Sequence, residues 1–239
     1  MLDAVERVVS PFLSAADAAL RNGYSAVLYG SAARGDYVPE QSDINLIVVA
    51  DALSPAMLRA LGPAFIAWQK SRAEPPLLIT RAEWNRATDA FPVEIADMRA
   101  AYQVLRGTDP LQELVVSRAD LRQALEREFR GKLLRLRQGY AASAGEPEAL
   151  GLLARRSVAT MLVLLRGLLT LVGRTIPRDP LQLAVAAAEV LGVDSESLLH
   201  VVRHRGEAKW LCRPEHFEPY MDVAAQAAQF LDQLQLGDR

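Results

Sequence analysis

The sequence predicts two successive kinds of structure, an α/β or α+β domain followed by an all-α bundle. Short apolar runs, which are typical of buried strands, alternate with helical patterns up to about residue 106. Beyond that point only helical periodicity remains. A turn-rich segment at residues 107–110 separates the two patterns. We therefore expect a first domain at residues 1–112 and a helical domain at residues 113–239.

The first part of the chain begins with an expected helix at residues 3–21, where apolar side chains such as Val5 and Val9 recur at helical spacing. Ser54 followed by Pro55 predicts the start of a second helix, because serine caps a helix and proline fits its first turn. Short apolar runs predict strands at residues 24–29, 43–50, 77–80 and 102–105. The first part of the segment 91–106 fits a helix or a strand.

Five helices are expected in the second part of the chain, at residues 117–140, 150–172, 179–191, 194–204 and 214–236. The first of them is rich in basic side chains, namely Arg122, Arg127, Arg130, Lys132, Arg135 and Arg137. Their distribution predicts a solvated face with intrahelical pairs such as Glu126–Arg130. The alternative is a surface that binds a nucleotide or an anionic partner.

The composition argues against several classes of protein. The net charge is −2, so the chain lacks the strong basic field of a nucleic-acid-binding domain, and we expect no nucleic-acid partner. The single cysteine, Cys212, fits a reducing compartment. The N-terminus has no signal-peptide pattern, and arginines interrupt the most apolar stretch, residues 150–172. We therefore expect a cytoplasmic protein with no membrane partner.

The segment between the first two predicted strands combines features of a phosphate-binding turn and of a metal site. Tyr29-Gly30-Ser31 follows the first apolar run, and Asp43-Ile44-Asn45-Leu46 begins the second. Glycine lets a backbone approach phosphate closely, and a serine hydroxyl and helix N-terminal N–H groups bind the anion. Side chains at i and i+2 of a strand point to one face, so those of Asp43 and Asn45 are expected to reach the same ligand.

This pattern resembles the minimal nucleotidyltransferase domain of the DNA polymerase beta superfamily, in which Gly and Gly or Ser precede a strand with alternating acids. Residues 31–36, Ser-Ala-Ala-Arg-Gly-Asp, also resemble the corresponding segment of aminoglycoside nucleotidyltransferases. The resemblance covers residues 24–50 specifically. It implies an α+β domain with a mixed sheet flanked by helices, a nucleoside triphosphate as ligand, and Mg²⁺ or Mn²⁺ as cofactor.

The same resemblance implies roles for the matching residues. Gly30 and Ser31 are expected to hold phosphates of the nucleotide, and Asp43 is expected to bind the metal. Arg34 is expected either to add positive charge beside the phosphates or to pair with Asp36.

Asn45 departs from the family pattern, which has a second acid at this position. An amide offers the metal one neutral oxygen, and loss of a unit charge about 4 Å from a cation costs about 4 kcal/mol at an effective dielectric near 20. The strand at residues 77–80 also lacks the third family acid. Glu94, with Asp97 three residues later, is the nearest substitute as general base or third ligand; the alternative is a purely structural carboxylate.

Two functions follow from these residues. The first is Mg²⁺-dependent transfer of a nucleoside monophosphate, with AMP the expected group, to a small-molecule or protein acceptor that the sequence does not identify. The second is a catalytically degenerate module, a pseudoenzyme that binds a nucleotide or a partner protein as a regulator or antitoxin. Asn45 and the acid-free third strand favour the second reading.

Overall fold

The structure is a computed structural model that describes residues 3–35, 37, 43–71 and 73–236. The chain forms two compact units, Met1–Val116 and Ser117–Arg239. That each unit is an independently folding domain stays a prediction.

The first unit contains all four strands, β1 Tyr24–Tyr29, β2 Asn45–Ala50, β3 Leu77–Thr80 and β4 Tyr102–Arg106. Its helices are α1 Asp3–Leu20, α2 Ser31–Arg34, α3 Pro55–Gln69, α4 Arg81–Trp84 and α5 Pro92–Ala100. The second unit contains α6 Arg118–Ser143, α7 Pro147–Leu171, α8 Pro180–Leu191, α9 Glu196–His204 and α10 Pro214–Gln233.

The strands form one mixed sheet in the order β3-β2-β1-β4. β1 is antiparallel to both β2 and β4, and β2 is parallel to β3. The mixed sheet, its flanking helices and the helical second unit confirm the predicted α+β class. The segment after residue 91 is the helix α5 followed by β4, which decides between the two readings that the sequence left open.

Local capping signals set several of the helix ends. The Ser54 hydroxyl accepts the Met57 N–H at 3.3 Å at the start of α3. Thr80 and Glu83 form a reciprocal capping box at the start of α4, in which the Thr80 N–H donates to the Glu83 carboxylate at 2.9 Å. The Ser54 cap lies where the sequence predicted it, because a cap depends only on residues three or four apart.

Both faces of the sheet are buried, and they pack against different helices. On one face Leu46 and Val48 pack with Phe12 of α1 and Trp68 of α3. On the other face the core contains Val27, Ile47, Val49, Ile95 and Met98, the last two from α5. Alternation along β2 therefore assigns each of its side chains to the α1–α3 face or to the α5 face.

The second unit contains the five predicted helices, and its first helix gives one confirmation and one correction. Arg130 pairs with Glu126 on α6 at 2.9 Å, as predicted. Lys132 does not belong to a solvated face, because it is only 5% exposed. Its ammonium donates to the Ser157 carbonyl at 3.0 Å and to the Thr160 hydroxyl, both on α7. Contact with α7 decides which face of α6 is buried. The spacing of charges along α6 alone does not predict this contact.

Among the described residues, no helix is both long enough and apolar enough to cross a membrane.

Candidate nucleotide site

Gly30 forms the turn between β1 and α2. Its φ of 75° and ψ of −148° lie in a region that is essentially restricted to glycine. Its carbonyl accepts the N–H groups of Ala33 and Arg34 at 3.1 and 2.9 Å, which closes the short helix on the turn. Since the first N–H groups of a helix have no acceptor within it, those of Ser31 and Ala32 point out of its N-terminal end. This arrangement can accept an anion such as phosphate.

Asn45, the first residue of β2, lies next to this turn. Asn45 is the cross-strand partner of Tyr29, the residue before Gly30. Leu46 and Val48 are buried in the α1–α3 core, so the alternating side chain of Asn45 points to the α5 face. A Cβ atom on Gly30 would lie 2.7 Å from Nδ2 of Asn45. Gly30 and the Asn45 amide therefore pack directly on one another, and the exposed Asp43 lies two residues away along the chain.

The carboxylates of α5 act on the Tyr29 side chain at the same end of the sheet. Glu94 is exposed in the first turn of α5, and Asp97 is 9% exposed one turn later. Burial raises the pKa of Tyr29 to about 12, and the negative charges of Asp97 and Glu94 add to this increase. Tyr29 therefore remains a protonated phenol with two carboxylates in its electrostatic environment.

Tyr29 was not singled out by the sequence, because the motif accepts any apolar residue there. The structure places it between its cross-strand partner Asn45 and the charges of α5. The role of Glu94 as general base or metal ligand stays a prediction.

Ser31 and Arg34 are the first and last residues of α2, and both are half-buried. Ser31 directly follows the Gly30 turn, while Arg34 precedes Gly35, which has a left-handed φ of 88°. Asp36, the alternative partner predicted for Arg34, lies outside the described residues. The two predicted phosphate contacts, Gly30 and Ser31, are thus adjacent in one turn, with Asn45 packed against it.

The chemistry of the site fits a metal that binds together with a nucleotide. Asp43 offers a carboxylate and Asn45 an amide oxygen, both hard donors of the kind that Mg²⁺ prefers. Within the part of the chain that the structure describes, no three His, Cys, Asp or Glu side chains are grouped so that they could hold a metal ion. Mg²⁺ is commonly held by one or two carboxylates together with substrate phosphates and water.

Comparison with known proteins supports the fold. No protein-family model and no curated protein sequence matches the chain. Among solved structures the chain is similar to the spectinomycin adenyltransferase AAD(9) from Enterococcus faecialis, which was solved with ATP and spectinomycin. The TM-score is 0.59 at 12% sequence identity, and the match covers 95% of this chain and 99% of that one. The chain thus has the fold of a nucleotidyltransferase, as the motif around Gly30 implied.

Proposed function

We propose that this protein binds a nucleoside triphosphate at the Gly30 turn and, with Mg²⁺ or Mn²⁺, transfers the nucleoside monophosphate to an acceptor hydroxyl. The observation that carries the proposal is the glycine-specific turn at Gly30, packed against Asn45 at the start of β2, two residues after Asp43. ATP is the first nucleotide to test, and spectinomycin the first acceptor, because the structurally similar adenyltransferase was solved with both.

In the proposed reaction the chain contributes binding, orientation and proton transfer. The Gly30–Ser31 turn would hold the triphosphate, and Asp43 and Asn45 would hold a divalent metal, which would supply positive charge beside the phosphates. The acceptor oxygen bonds to the α-phosphorus, the bond from that phosphorus to pyrophosphate breaks, and the acceptor proton passes to Glu94. Tyr29 remains a protonated phenol on which the charges of Asp97 and Glu94 act.

One observation favours a second function, a nucleotide-binding or partner-binding regulatory module without turnover. Asn45 is packed against Gly30 with its amide, where a second carboxylate would be needed to hold two metal ions. A neutral oxygen at this place binds a cation far less strongly than a carboxylate does. Binding of one metal–nucleotide complex is compatible with both functions, so turnover is the property that separates them.

The test compares ATP binding and pyrophosphate release, with Mg²⁺ or Mn²⁺ present, for the native chain, Asn45→Asp and Asp43→Asn. Asp51→Asn is the matched control, because Asp51 is an exposed carboxylate that follows the opposite end of β2. We expect Asp43→Asn to weaken metal-dependent ATP binding about tenfold or more, and Asp51→Asn to leave it unchanged.

The outcomes separate the two functions. Pyrophosphate release by the native chain that is lost in Asp43→Asn supports the transferase. ATP binding by the native chain with release only in Asn45→Asp supports the regulatory module. Absence of ATP binding in all variants contradicts the ATP-dependent transferase and an ATP-binding form of the regulatory module.

A further inference from the structure

The three histidines of the chain meet in the second unit, where α9 and α10 come together. His200 and His204 lie one turn apart on α9, with ring centroids 4.7 Å apart. His216, in the first turn of α10, brings its ring centroid to 3.9 Å from that of His200. Trp210 stacks on His204 at 4.9 Å with an interplanar angle of 12°. We refer to these four side chains as the histidine cluster.

The loop that carries Trp210, residues 205–213, is also fixed to α7. Trp210 is 8% exposed, and its carbonyl lies so close to Gly151 that a Cβ atom there would be 2.0 Å from it. The next contact is the Cys212 N–H, which donates to the Pro147 carbonyl at 2.9 Å. The histidine cluster therefore links α9 and the start of α10 to a loop that is held on α7.

Several charged groups around the cluster are paired with one another or cap a helix. On α9, Arg203 pairs with Glu196 at 3.1 Å, and Asp194 accepts the Glu196 N–H at 3.1 Å. At the start of α10, Arg213 lies 3.7 Å from Glu215. The carboxylates among them, Asp194, Glu196 and Glu215, line a cavity of about 290 Å³ together with His200 and His216.

These surroundings oppose a positive charge on His200. Burial lowers its pKa, and His216, His204 and Arg203 lower it further, while Glu196 acts in the opposite direction. No charged group on the described residues of α7 or α8 is among the causes of this shift. His204 donates its Nδ1 proton to the His200 carbonyl at 2.8 Å, because a carbonyl can only accept.

Two imidazolium ions at the distance that separates His200 from His216 repel each other strongly where solvent is partly excluded. We propose that the histidine cluster is an acid-sensitive latch, which holds α9, the 205–213 loop and the start of α10 together while its rings are neutral and releases them when a second ring is protonated. The opened form exposes Trp210 and widens the carboxylate-lined cavity.

The direction of the pH dependence follows from linkage. The pKa of His200 is lower in the closed form than its ordinary value of 6.5, so the opened form binds the proton first as the pH falls. Closure is therefore complete above about pH 6.5 and weakens below it. A histidine with a raised pKa in the closed form would produce the opposite trend.

Two measurements on the full-length chain test the latch. The first is NMR titration of the histidine rings, which are only three in number. We expect His200 to titrate below pH 6.5 and its midpoint to rise in His216→Gln. The second is hydrogen exchange between about pH 7.5 and 5.5, corrected for the intrinsic rate. We expect amides of residues 196–216 to exchange faster at the acidic pH, by at most about tenfold, because pH 5.5 lies about one unit below the ordinary pKa of histidine.

Variants and an internal control make the outcome decisive. His216→Gln removes the close pair and is expected to weaken the acid response to the part that the burial of His200 causes, whereas His204→Gln keeps that pair and retains most of the response. The amides of α7 are the internal control for opening elsewhere in the second unit, and their corrected exchange rates are expected not to change with pH. If the native chain shows no acid response at residues 196–216, or if His216→Gln shows the same response, the latch does not exist. Should His216→Gln fail to fold, His200→Gln supplies the same comparison.

Discussion

Replacement of Gly30 by alanine is expected to destabilise the first unit far more than the same change at Gly35. Both glycines have positive φ, but Gly35, with φ 88° and ψ 9°, lies in the left-handed helical region that other residues can enter. Alanine there costs about 1 kcal/mol. Gly30 lies in the glycine-only region, where another residue costs about 3 kcal/mol.

Contact with Asn45 adds to the cost at Gly30 alone. A Cβ atom on Gly35 meets nothing within 4 Å, whereas one on Gly30 lies 2.7 Å from the Asn45 Nδ2 atom. The amide must rotate away, which costs about 1 kcal/mol for an unfavourable rotamer. The expected losses are therefore about 4 kcal/mol for Gly30→Ala and about 1 kcal/mol for Gly35→Ala. Adding Asn45→Ala is expected to raise the free energy of unfolding of Gly30→Ala by about 1 kcal/mol and to give no such gain in Gly35→Ala.

Urea unfolding followed by tryptophan fluorescence provides the assay. Trp68 and Trp84 report on the first unit, and Trp210→Phe serves as the background because it removes the signal of the second unit. If Gly30→Ala lowers the free energy of unfolding no more than Gly35→Ala does, the predicted strain at Gly30 and the predicted clash with Asn45 are wrong. If both variants lose stability equally but only Gly30→Ala loses ATP binding, the turn acts on the ligand and not on the fold.

Two further predictions concern buried or paired titratable groups. Burial, followed by the charge of Arg135, lowers the pKa of Lys132 to about 8, so the unfolded chain binds this proton more tightly than the folded one between about pH 8 and 10.5. The free energy of unfolding of the native chain, measured relative to Lys132→Met, is therefore expected to rise by up to about 3 kcal/mol across that interval; a flat difference would show that the ammonium is not desolvated. The hydrogen bond from Tyr24 lowers the pKa of Asp17, the hydrogen bond from Arg106 lowers it further, and burial opposes both. The ionised Asp17 carboxylate therefore stabilises the fold above about pH 4, and this stabilisation is lost as the pH falls. Tyr24→Phe is expected to lower the melting temperature at pH 7 and to change it less at pH 3, and an equal change at both values would contradict the pairing.

The sequence determined those features that depend on neighbours along the chain. The cap at Ser54 and the strand ending at Tyr29 lie where local spacing predicted them. The Gly30–Ser31 turn was predictable because a glycine and a serine after an apolar run constrain only a few consecutive residues. The fold class was predictable because each strand or helix has its own local hydrophobic pattern. The departure at Asn45 was also visible in the sequence alone.

Tertiary structure decided which distant residues meet. Packing against β1 and β2 made the segment after Phe91 a helix and brought the charges of Glu94 and Asp97 to Tyr29. Packing of α6 on α7 buried Lys132, which the charge pattern of one helix had assigned to solvent. The meeting of His200 with His216 likewise depends on how α9 and α10 pair. Such contacts join residues whose separation along the chain carries no periodic signal, so only the packed structure specifies them.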